Sequence, residues 1–198
     1  GEYLLSLENQ KLRLELPWKS SYMTENILAA ASTAKLLGAT EIHISEGLKQ
    51  VSLPEHRCQV RQVGGLNIID DSYNANPLSM RYALENAAEL ASGNSFFAVL
   101  GDMYELGGQA QSEHNNLGRI TARVGCDIIF YVGKHAEDVQ AGLPAEGGHA
   151  AFIALKNPEE SPEIFKKQGL DSGTILFKGS RACQLECYLK KLARELMQ

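Results

Sequence analysis

The sequence predicts an α/β protein built on a doubly wound, mostly parallel, Rossmann-like sheet. From residue 66 onward, five short apolar runs alternate with five helical patterns, which is the element order of repeated β-α-β units. The runs are continuously apolar and do not alternate with polar residues, so helices should cover both faces of the sheet. At 198 residues the chain is long enough to bury a substantial core.

The first 56 residues follow a different pattern and are predicted to belong to a separate domain. Leucines alternate with polar residues over 11–16, which is typical of a half-buried strand. Residues 17–22, with Trp18, are predicted to form a loop, and an apolar stripe predicts a helix over 24–37. A shorter helix is expected after Thr40, with three residues facing inward: Ile44, Leu48 and Val51.

From residue 66 the predicted elements alternate regularly. Strands are predicted over 66–70, 96–100, 128–132, 151–155 and 174–177. Helices are predicted over 77–91, 110–124, 135–142 and 181–197, and one more is expected to begin at Pro158 after an Asn157 cap. The start at Pro77 is the clearest, because Asn76 is a preferred N-cap residue and proline fits in the first helical turn.

The composition argues against several classes of protein. The net charge is −5 and no cluster of five or more basic residues occurs, which argues against a nucleic acid or an anionic membrane as the main partner. No apolar run approaches the roughly 20 residues of a membrane span. The four cysteines form no C-x-x-C pair, which argues against a structural zinc site and favours free thiols in a cytoplasmic setting.

The common nucleotide-binding loops do not occur in this sequence. Gly133-Lys134 is followed by His135 and lacks the earlier glycine of a G-x-x-x-x-G-K-[ST] loop. No G-x-G-x-x-G motif follows a predicted strand. If the protein uses ATP, we expect the phosphate-binding loop to lie outside these residues.

Polar residues follow the predicted strands where each strand ends. The carboxyl ends of parallel strands share one edge of the sheet, and ligands bind there in open α/β folds. The residues expected at this edge are Asp70, Asp71, Asn74, Asn76, Asp102, Gly133-Lys134-His135 and Lys178-Gly179-Ser180-Arg181. Asp and Asn are also common in structural turns, but two adjacent carboxylates between a strand and a proline-started helix favour a function.

Two cations, Lys178 and Arg181, stand at the start of the last predicted helix. Helix N-termini attract anions, so these cations oppose the helix dipole unless an anion binds beside them. An arginine can hold a carboxylate or a phosphate through two hydrogen bonds. The alternative is that Arg181 pairs with Asp70 or Asp102 across the edge.

Two other polar residues have more than one interpretation. His114 lies on a predicted helix, where it is either solvated or a support for functional residues. Asn26, beside an Ala-rich helix face, is either an ordinary solvent-facing residue or a contact to a nucleotide base.

Three blocks of the sequence resemble the C-terminal domain of the Mur ligase family. They are residues 69–80 (IDDSYNANPLSM), residues 100–107 (LGDMYELG) with His114 downstream, and residues 177–182 (FKGSRA). The resemblance implies a C-terminal Rossmann-like domain over 57–198.

Residues 1–56 resemble the end of the family's central ATP-binding domain. Asn26 and Arg57 stand where the family has an Asn and a junction Arg. The sequence departs from the family at Tyr22-Met23, where His-Asn is usual, and at His56, where Gly is usual. The family's N-terminal domain and phosphate loop have no counterpart here, so we expect a C-terminal fragment that is inactive alone.

The resemblance implies an ATP-dependent ligase of peptidoglycan synthesis and hence of cell wall biogenesis. Such an enzyme joins D-Ala-D-Ala to a UDP-MurNAc-tripeptide through an acyl phosphate. The implied partners are these small molecules, with no nucleic acid and no membrane, and the implied state is a cytoplasmic monomer. Mg²⁺ would accompany ATP, with its ligands outside this chain.

The resemblance also implies roles for individual residues. Asn26 would contact the adenine, Arg57 the phosphates and Asp71 the ribose of ATP. Lys178 and Arg181 would be catalytic. The dipeptide side of the site would be lined by Asn74, Asn76, Lys178, Ser180 and Arg181.

Two other classes of protein remain open from the sequence. A phosphoacceptor receiver module also has an acidic pair after its first strand and a lysine after its last. It needs an aspartate after its third strand, where this chain has Val132-Gly133. The other alternative is a non-catalytic binding domain of the same fold.

Overall fold

The computed structural model describes residues 2–7, 10–16, 23–146 and 150–197. The chain forms two compact units, Gly1–Leu53 and Pro54–Gln198. The predicted boundary lay after residue 56. The loop predicted over 17–22, including Trp18, lies outside the described residues.

The first unit contains a hairpin and two helices. Strands β1 (Glu2–Leu7) and β2 (Gln10–Glu15) pair antiparallel, and helices α1 (Met23–Leu36) and α2 (Glu41–Lys49) follow. Its core consists of Leu5, Leu14, Leu16, Ile27, Ala31 and Ile44. The strand predicted over 11–16 is confirmed as β2.

The inward face predicted for the second helix is correct at Ile44 and wrong at Val51. The side chain of Thr40 caps α2 by accepting a hydrogen bond from the His43 N–H (3.3 Å). The helix then ends at Lys49, so Val51 lies beyond its last turn and is exposed.

The second unit is a six-stranded sheet with helices between its strands. The strands are β3 (Gln59–Val63), β4 (Gly65–Asp70), β5 (Phe96–Gly101), β6 (Ile128–Val132), β7 (Ala151–Ala154) and β8 (Ser172–Lys178). The helices are α3 (Pro77–Ala91), α4 (Ala110–Arg123), α5 (Ala136–Gly142), α6 (Ser161–Lys167) and α7 (Leu185–Leu196). The strand order is β3-β4-β8-β5-β6-β7, and only β3 is antiparallel to its neighbour.

Both faces of this sheet are covered, as its continuously apolar strands predicted. On one face the strands pack against α3, α4 and α5, through residues that include Met80, Leu84, Leu117, Ile120 and Val139. On the other face they pack against α6 and α7, through Phe165, Leu185, Tyr188, Leu189 and Leu192. The predicted fold class is therefore confirmed.

The position of β8 gives this sheet the strand arrangement at which doubly wound folds bind ligands. β8 lies between β4 and β5 in the sheet. The helices after β4 and β5 cover one face, whereas α7, which follows β8, covers the other. Loops that leave neighbouring strands in opposite directions leave room for a ligand at the carboxyl ends.

Two helix starts differ from the sequence predictions. Asn157 does not cap a helix at Pro158, because its side chain accepts the N–H groups of Glu159 (2.8 Å) and Glu160 (3.2 Å) in a separate turn. Helix α6 begins only at Ser161. The last helix, predicted from residue 181, begins at Leu185 after a short 3-10 turn, Arg181–Cys183.

Candidate active site at the carboxyl edge of the sheet

An ion pair joins the ends of β4 and β8. The Lys178 ammonium group lies 2.6 Å from Oδ2 of Asp71 and donates to the Asn74 carbonyl (3.1 Å). The other Asp71 oxygen accepts the Cys58 N–H (3.1 Å). Asp71 is 4% exposed and Lys178 is 2% exposed, so this pair is shielded from water. Lys178 is therefore not a free cation at the start of a helix.

Asp70, the neighbouring carboxylate, has different partners. Its Oδ1 accepts hydrogen bonds from the hydroxyl (2.7 Å) and the N–H (3.3 Å) of Ser72. Its Oδ2 lies 2.9 Å from Nδ1 of His56. Asp70 is buried, so these contacts satisfy a carboxylate that water does not reach.

Arg57 lies on the exposed side of this edge. Its guanidinium carbon is 4.2 Å from the centre of the Tyr73 ring, and both residues are exposed. The flanking residues His56 (φ 62°) and Cys58 (φ 50°) both have left-handed backbone conformations. That conformation costs a non-glycine residue about 1–2 kcal/mol, so the surrounding contacts must hold the segment in place.

A third buried carboxylate, Asp102, organises the loops after β5 and β6. It accepts hydrogen bonds from the Tyr131 hydroxyl (2.8 Å), the Lys134 N–H (3.0 Å) and the His135 N–H (3.2 Å). Gly133 (φ 146°) makes this possible, because a side chain there would collide with the carboxylate. The Gly133-Lys134-His135 segment thus wraps around Asp102 through its backbone.

His114 is fully buried, so the alternative that placed it in solvent is wrong. Its Nε2 accepts the Met103 N–H (2.9 Å), and its Nδ1 donates to the Ala110 carbonyl (2.6 Å). The ring stacks on His135, with centroids 4.1 Å apart. Burial lowers the pKa of His114, partly opposed by the bond to Ala110, which agrees with a neutral ring that accepts at Nε2.

Ser180 connects the β5 loop to the β8 loop. Its hydroxyl oxygen accepts the Tyr104 N–H (3.0 Å), and its own N–H donates to the Asp102 carbonyl (3.0 Å). The two chains approach closely here, since a Cβ on Gly179 would lie 2.9 Å from the Gly101 Cα. Only glycine fits at such a contact.

Arg181 pairs with neither Asp70 nor Asp102, so that alternative is also wrong. Its Nη1 lies 2.9 Å from Oε1 of Glu186, on the first turn of α7. The Arg181 side chain is 57% exposed in this pair. It is therefore the cation of this loop that a ligand can reach, whereas Lys178 is enclosed.

The two asparagines of the β4 loop have different environments. The Asn76 side chain accepts the Ser79 N–H (2.8 Å), and the Ser79 hydroxyl accepts the Asn76 N–H (3.1 Å), which together cap α3. Asn74 is exposed and contributes its carbonyl to Lys178. Asn26 belongs to the first unit, where it is exposed on α1.

Sequence reasoning missed three residues that build this edge. His56 and Tyr131 each bond a buried carboxylate, and Glu186 neutralises Arg181. Glu186 had a detectable signal, because it lies five residues after Arg181 in the first turn of a helix. The other two depend on tertiary contacts.

Two negative findings concern the described part of the chain. No described helix is both long enough and apolar enough to cross a membrane. No group of three or more His, Cys, Asp or Glu side chains among those residues could hold a metal ion.

The sequence of the second unit matches a known protein family. Residues 56–181 match the family described as "Mur ligase, glutamate ligase domain". That match covers most of the chain, and the chain belongs to the Mur ligase family.

Two curated relatives carry the same enzyme name. The UDP-N-acetylmuramoyl-tripeptide–D-alanyl-D-alanine ligase of Escherichia coli is 30% identical over 194 residues, which are 96% of this chain and 41% of that enzyme. The Bacillus subtilis ligase of the same name is 26% identical over 178 residues, 89% of this chain and 39% of that enzyme. The chain thus spans about 41% of the first of these curated relatives.

Solved structures agree with the sequence comparison. MurF of Acinetobacter baumannii superimposes with a TM-score of 0.83 and 29% identity, over 98% of this chain and 42% of that one. MurF of Thermotoga maritima, solved in complex with ADP, has the same fold, with a TM-score of 0.74 at 24% identity over 94% of this chain and 42% of that one.

Proposed function

We propose that this chain is the C-terminal part of an ATP-dependent ligase that adds D-Ala-D-Ala to a UDP-MurNAc-tripeptide. The observation that carries the proposal is the similarity to enzymes of this name along 96% of the chain. In this reaction the tripeptide carboxylate takes the γ-phosphoryl group of ATP, and the dipeptide amine displaces phosphate to form the amide. We expect the enzyme to act as a cytoplasmic monomer on small molecules, with no nucleic acid or membrane among its partners.

The nucleotide side of the proposal is supported best by Arg57. Its exposed guanidinium group on the face of Tyr73 is suited to a phosphate, which arginine binds through two hydrogen bonds. Asp71 suits the ribose less well, because a ribose hydroxyl would have to share an oxygen with Lys178 or with the Cys58 N–H. Asn26, on the exposed surface of α1, stays the proposed contact to adenine.

The dipeptide side is supported best by Arg181. Its charge is exposed, and Glu186 occupies only part of its hydrogen-bonding capacity. We propose that it binds the dipeptide's terminal carboxylate, with Asn74 beside it. Lys178 and Ser180 hold the same loop in place through their bonds to Asp71 and to the Tyr104 N–H. Asn76 contributes by capping α3.

Mg²⁺ would supply charge neutralisation for the transferred phosphoryl group. The described residues of this chain provide no cluster of ligands suited to it. We therefore propose that its ligands belong to another part of the intact ligase.

The receiver alternative conflicts with the strand order. Counting only the parallel strands in chain order, the sheet has the order 1-5-2-3-4. A receiver has the flavodoxin-like order 2-1-3-4-5. The last strand here is inserted between the first two, so the similar acidic pair and lysine belong to a different architecture.

The proposal can be tested with the intact ligase that contains this chain. It should form UDP-MurNAc-pentapeptide from the tripeptide, ATP and D-Ala-D-Ala, and release one ADP for each amide bond. L-Ala and D-Glu in place of the dipeptide should give no product. ADP release with either amino acid and none with D-Ala-D-Ala would place the protein elsewhere in the family.

A further inference from the structure

Residues 54–58, the segment that carries Arg57, are fastened to the loop after β4 at three points. The Tyr73 N–H donates to the His56 carbonyl (3.0 Å), and the Cys58 N–H donates to Asp71 (3.1 Å). The imidazole of His56 lies 2.9 Å from Oδ2 of Asp70. Arg57 therefore stands between two residues that are each held in place.

His56 occupies a backbone position that suits glycine. Its φ of 62° is in the left-handed region, which side chains disfavour. A histidine held in this backbone conformation requires a compensating contact. That contact is to Oδ2 of the buried Asp70 carboxylate. Ser72 bonds the other oxygen of the same carboxylate, Oδ1. Among the described residues, His56 is the partner of Oδ2.

The three contacts of residues 54–58 with the β4 loop fix the exposed position of Arg57. Its guanidinium group lies 4.2 Å from the centre of the Tyr73 ring, and Tyr73 itself is tied to His56 through its N–H. No carboxylate in the described part of the chain lies within ion-pair distance of Arg57. The cation is thus held ready for an anion from outside.

We propose that His56 is a positioning residue for the nucleotide site. By bonding Asp70 and Tyr73 at once, it holds Arg57 over the tyrosine ring and reduces the ordering that phosphate binding would otherwise require. This inference rests on the proposed function, in which Arg57 contacts the phosphates of ATP. It assigns a purpose to the contact between His56 and Asp70.

The test is the affinity of the intact ligase for ADP, measured by calorimetry for His56→Gly, Arg57→Ala and the double variant. Glycine adopts the left-handed backbone freely, so His56→Gly removes the imidazole without adding strain. It should weaken ADP binding roughly tenfold, which corresponds to about 1.4 kcal/mol. Arg57→Ala should weaken it at least as much, and the double variant should be no weaker than Arg57→Ala.

Cys58→Gly is the matched control. It frees the backbone on the other side of Arg57 but keeps the N–H bond to Asp71, so it should weaken ADP binding much less than His56→Gly does. In every variant, the KM for D-Ala-D-Ala should stay within about twofold of the wild-type value, a difference below 0.5 kcal/mol.

Three outcomes would overturn the inference in different ways. Wild-type ADP affinity in His56→Gly would remove the positioning role and leave the nucleotide site intact. Additive losses in the double variant would mean that His56 acts through another group than Arg57. Wild-type ADP affinity in Arg57→Ala would contradict the proposed nucleotide site itself.

Discussion

The carboxylate of Asp71 and the ammonium group of Lys178 are 2.6 Å apart and almost inaccessible to water. From the sequence, Lys178 was expected to stand at the start of a helix, where it opposes the helix dipole. The structure reverses that expectation. Removing one partner would leave the other charge buried and uncompensated, which is far more costly than losing an exposed pair.

Lys178→Met should therefore destabilise the protein by roughly 3–5 kcal/mol, measured by urea denaturation. The double variant Asp71→Leu/Lys178→Met should recover most of that loss, because no charge remains buried. Arg181→Ala, which breaks an exposed pair, is the control and should cost no more than about 1 kcal/mol. Equal losses from Lys178→Met and Arg181→Ala would show that the Asp71–Lys178 pair is solvated.

His114 should make the stability depend on pH. Burial lowers its pKa below the roughly 6.5 of an unfolded histidine, so the unfolded chain takes up the proton first as the pH falls. The contribution of the neutral ring is complete above about pH 6.5 and is lost as the pH falls toward the folded-state pKa.

His114→Gln isolates this effect, because glutamine offers an acceptor to the Met103 N–H and does not titrate. The free energy of unfolding, measured from pH 7.5 to pH 5, should fall less steeply in the variant than in the wild type. If the two curves run parallel over that range, His114 does not contribute to the pH dependence.

At the scale of single residues, the sequence predicted features that are local along the chain and did not predict contacts between distant residues. The acidic pair Asp70 and Asp71 was recognisable because it directly follows an apolar strand. Its partners were not, since Lys178 is 107 residues away from Asp71 and the His56 contact needs a left-handed backbone. Sequence patterns report which residues reach the edge of the sheet, but tertiary packing decides which of them face each other.

At the scale of secondary structure elements, the start of α3 is a helix cap that the sequence predicts, and it directly follows the loop that carries Asn74. Asn76 and Ser79 cap the helix reciprocally, and Pro77 occupies its first turn. The cap fixes the point at which the β4 loop ends. It thereby helps to hold the Asn74 carbonyl against Lys178.

Asn76→Ala should lower the free energy of unfolding by about 1 kcal/mol, within the 0.5–2 kcal/mol typical of N-caps. Asn74→Ala is the matched control from the same loop, because it keeps the carbonyl that bonds Lys178. It should leave the stability within about 0.5 kcal/mol of the wild type. Identical denaturation midpoints for the two variants would count against the cap.

Elements with strong local patterns were predicted closely, and those without them were not. The helix predicted over 77–91 has those bounds in the structure, because its cap and its apolar stripe agree. Strand β3 was missed because it is an exposed edge strand with polar residues along most of its length. The start of α6 was misplaced because Asn157 and Pro158 suit a turn as well as a cap.

At the scale of the whole molecule, the insertion of β8 between β4 and β5 explains where the residues of the candidate site collect. The last strand carries Lys178, Ser180 and Arg181 to a position between the two loops that bear Asp71 and Asp102. The sequence indicated that polar residues meet at one edge. It could not indicate this strand order, because the order is set by long-range packing of the helices on the two faces.

We propose that this edge binds the dipeptide, and Arg181→Ala in the intact ligase tests that proposal most directly. Steady-state kinetics with each substrate varied should show the KM for D-Ala-D-Ala raised by about 10- to 150-fold, the range for a charged hydrogen bond, with the KM for ATP unchanged. Glu186→Gln is the control, since it breaks the same ion pair but keeps the arginine, and it should leave both values near those of the wild type. An unchanged KM for D-Ala-D-Ala in Arg181→Ala would contradict the account, whether kcat falls or stays the same.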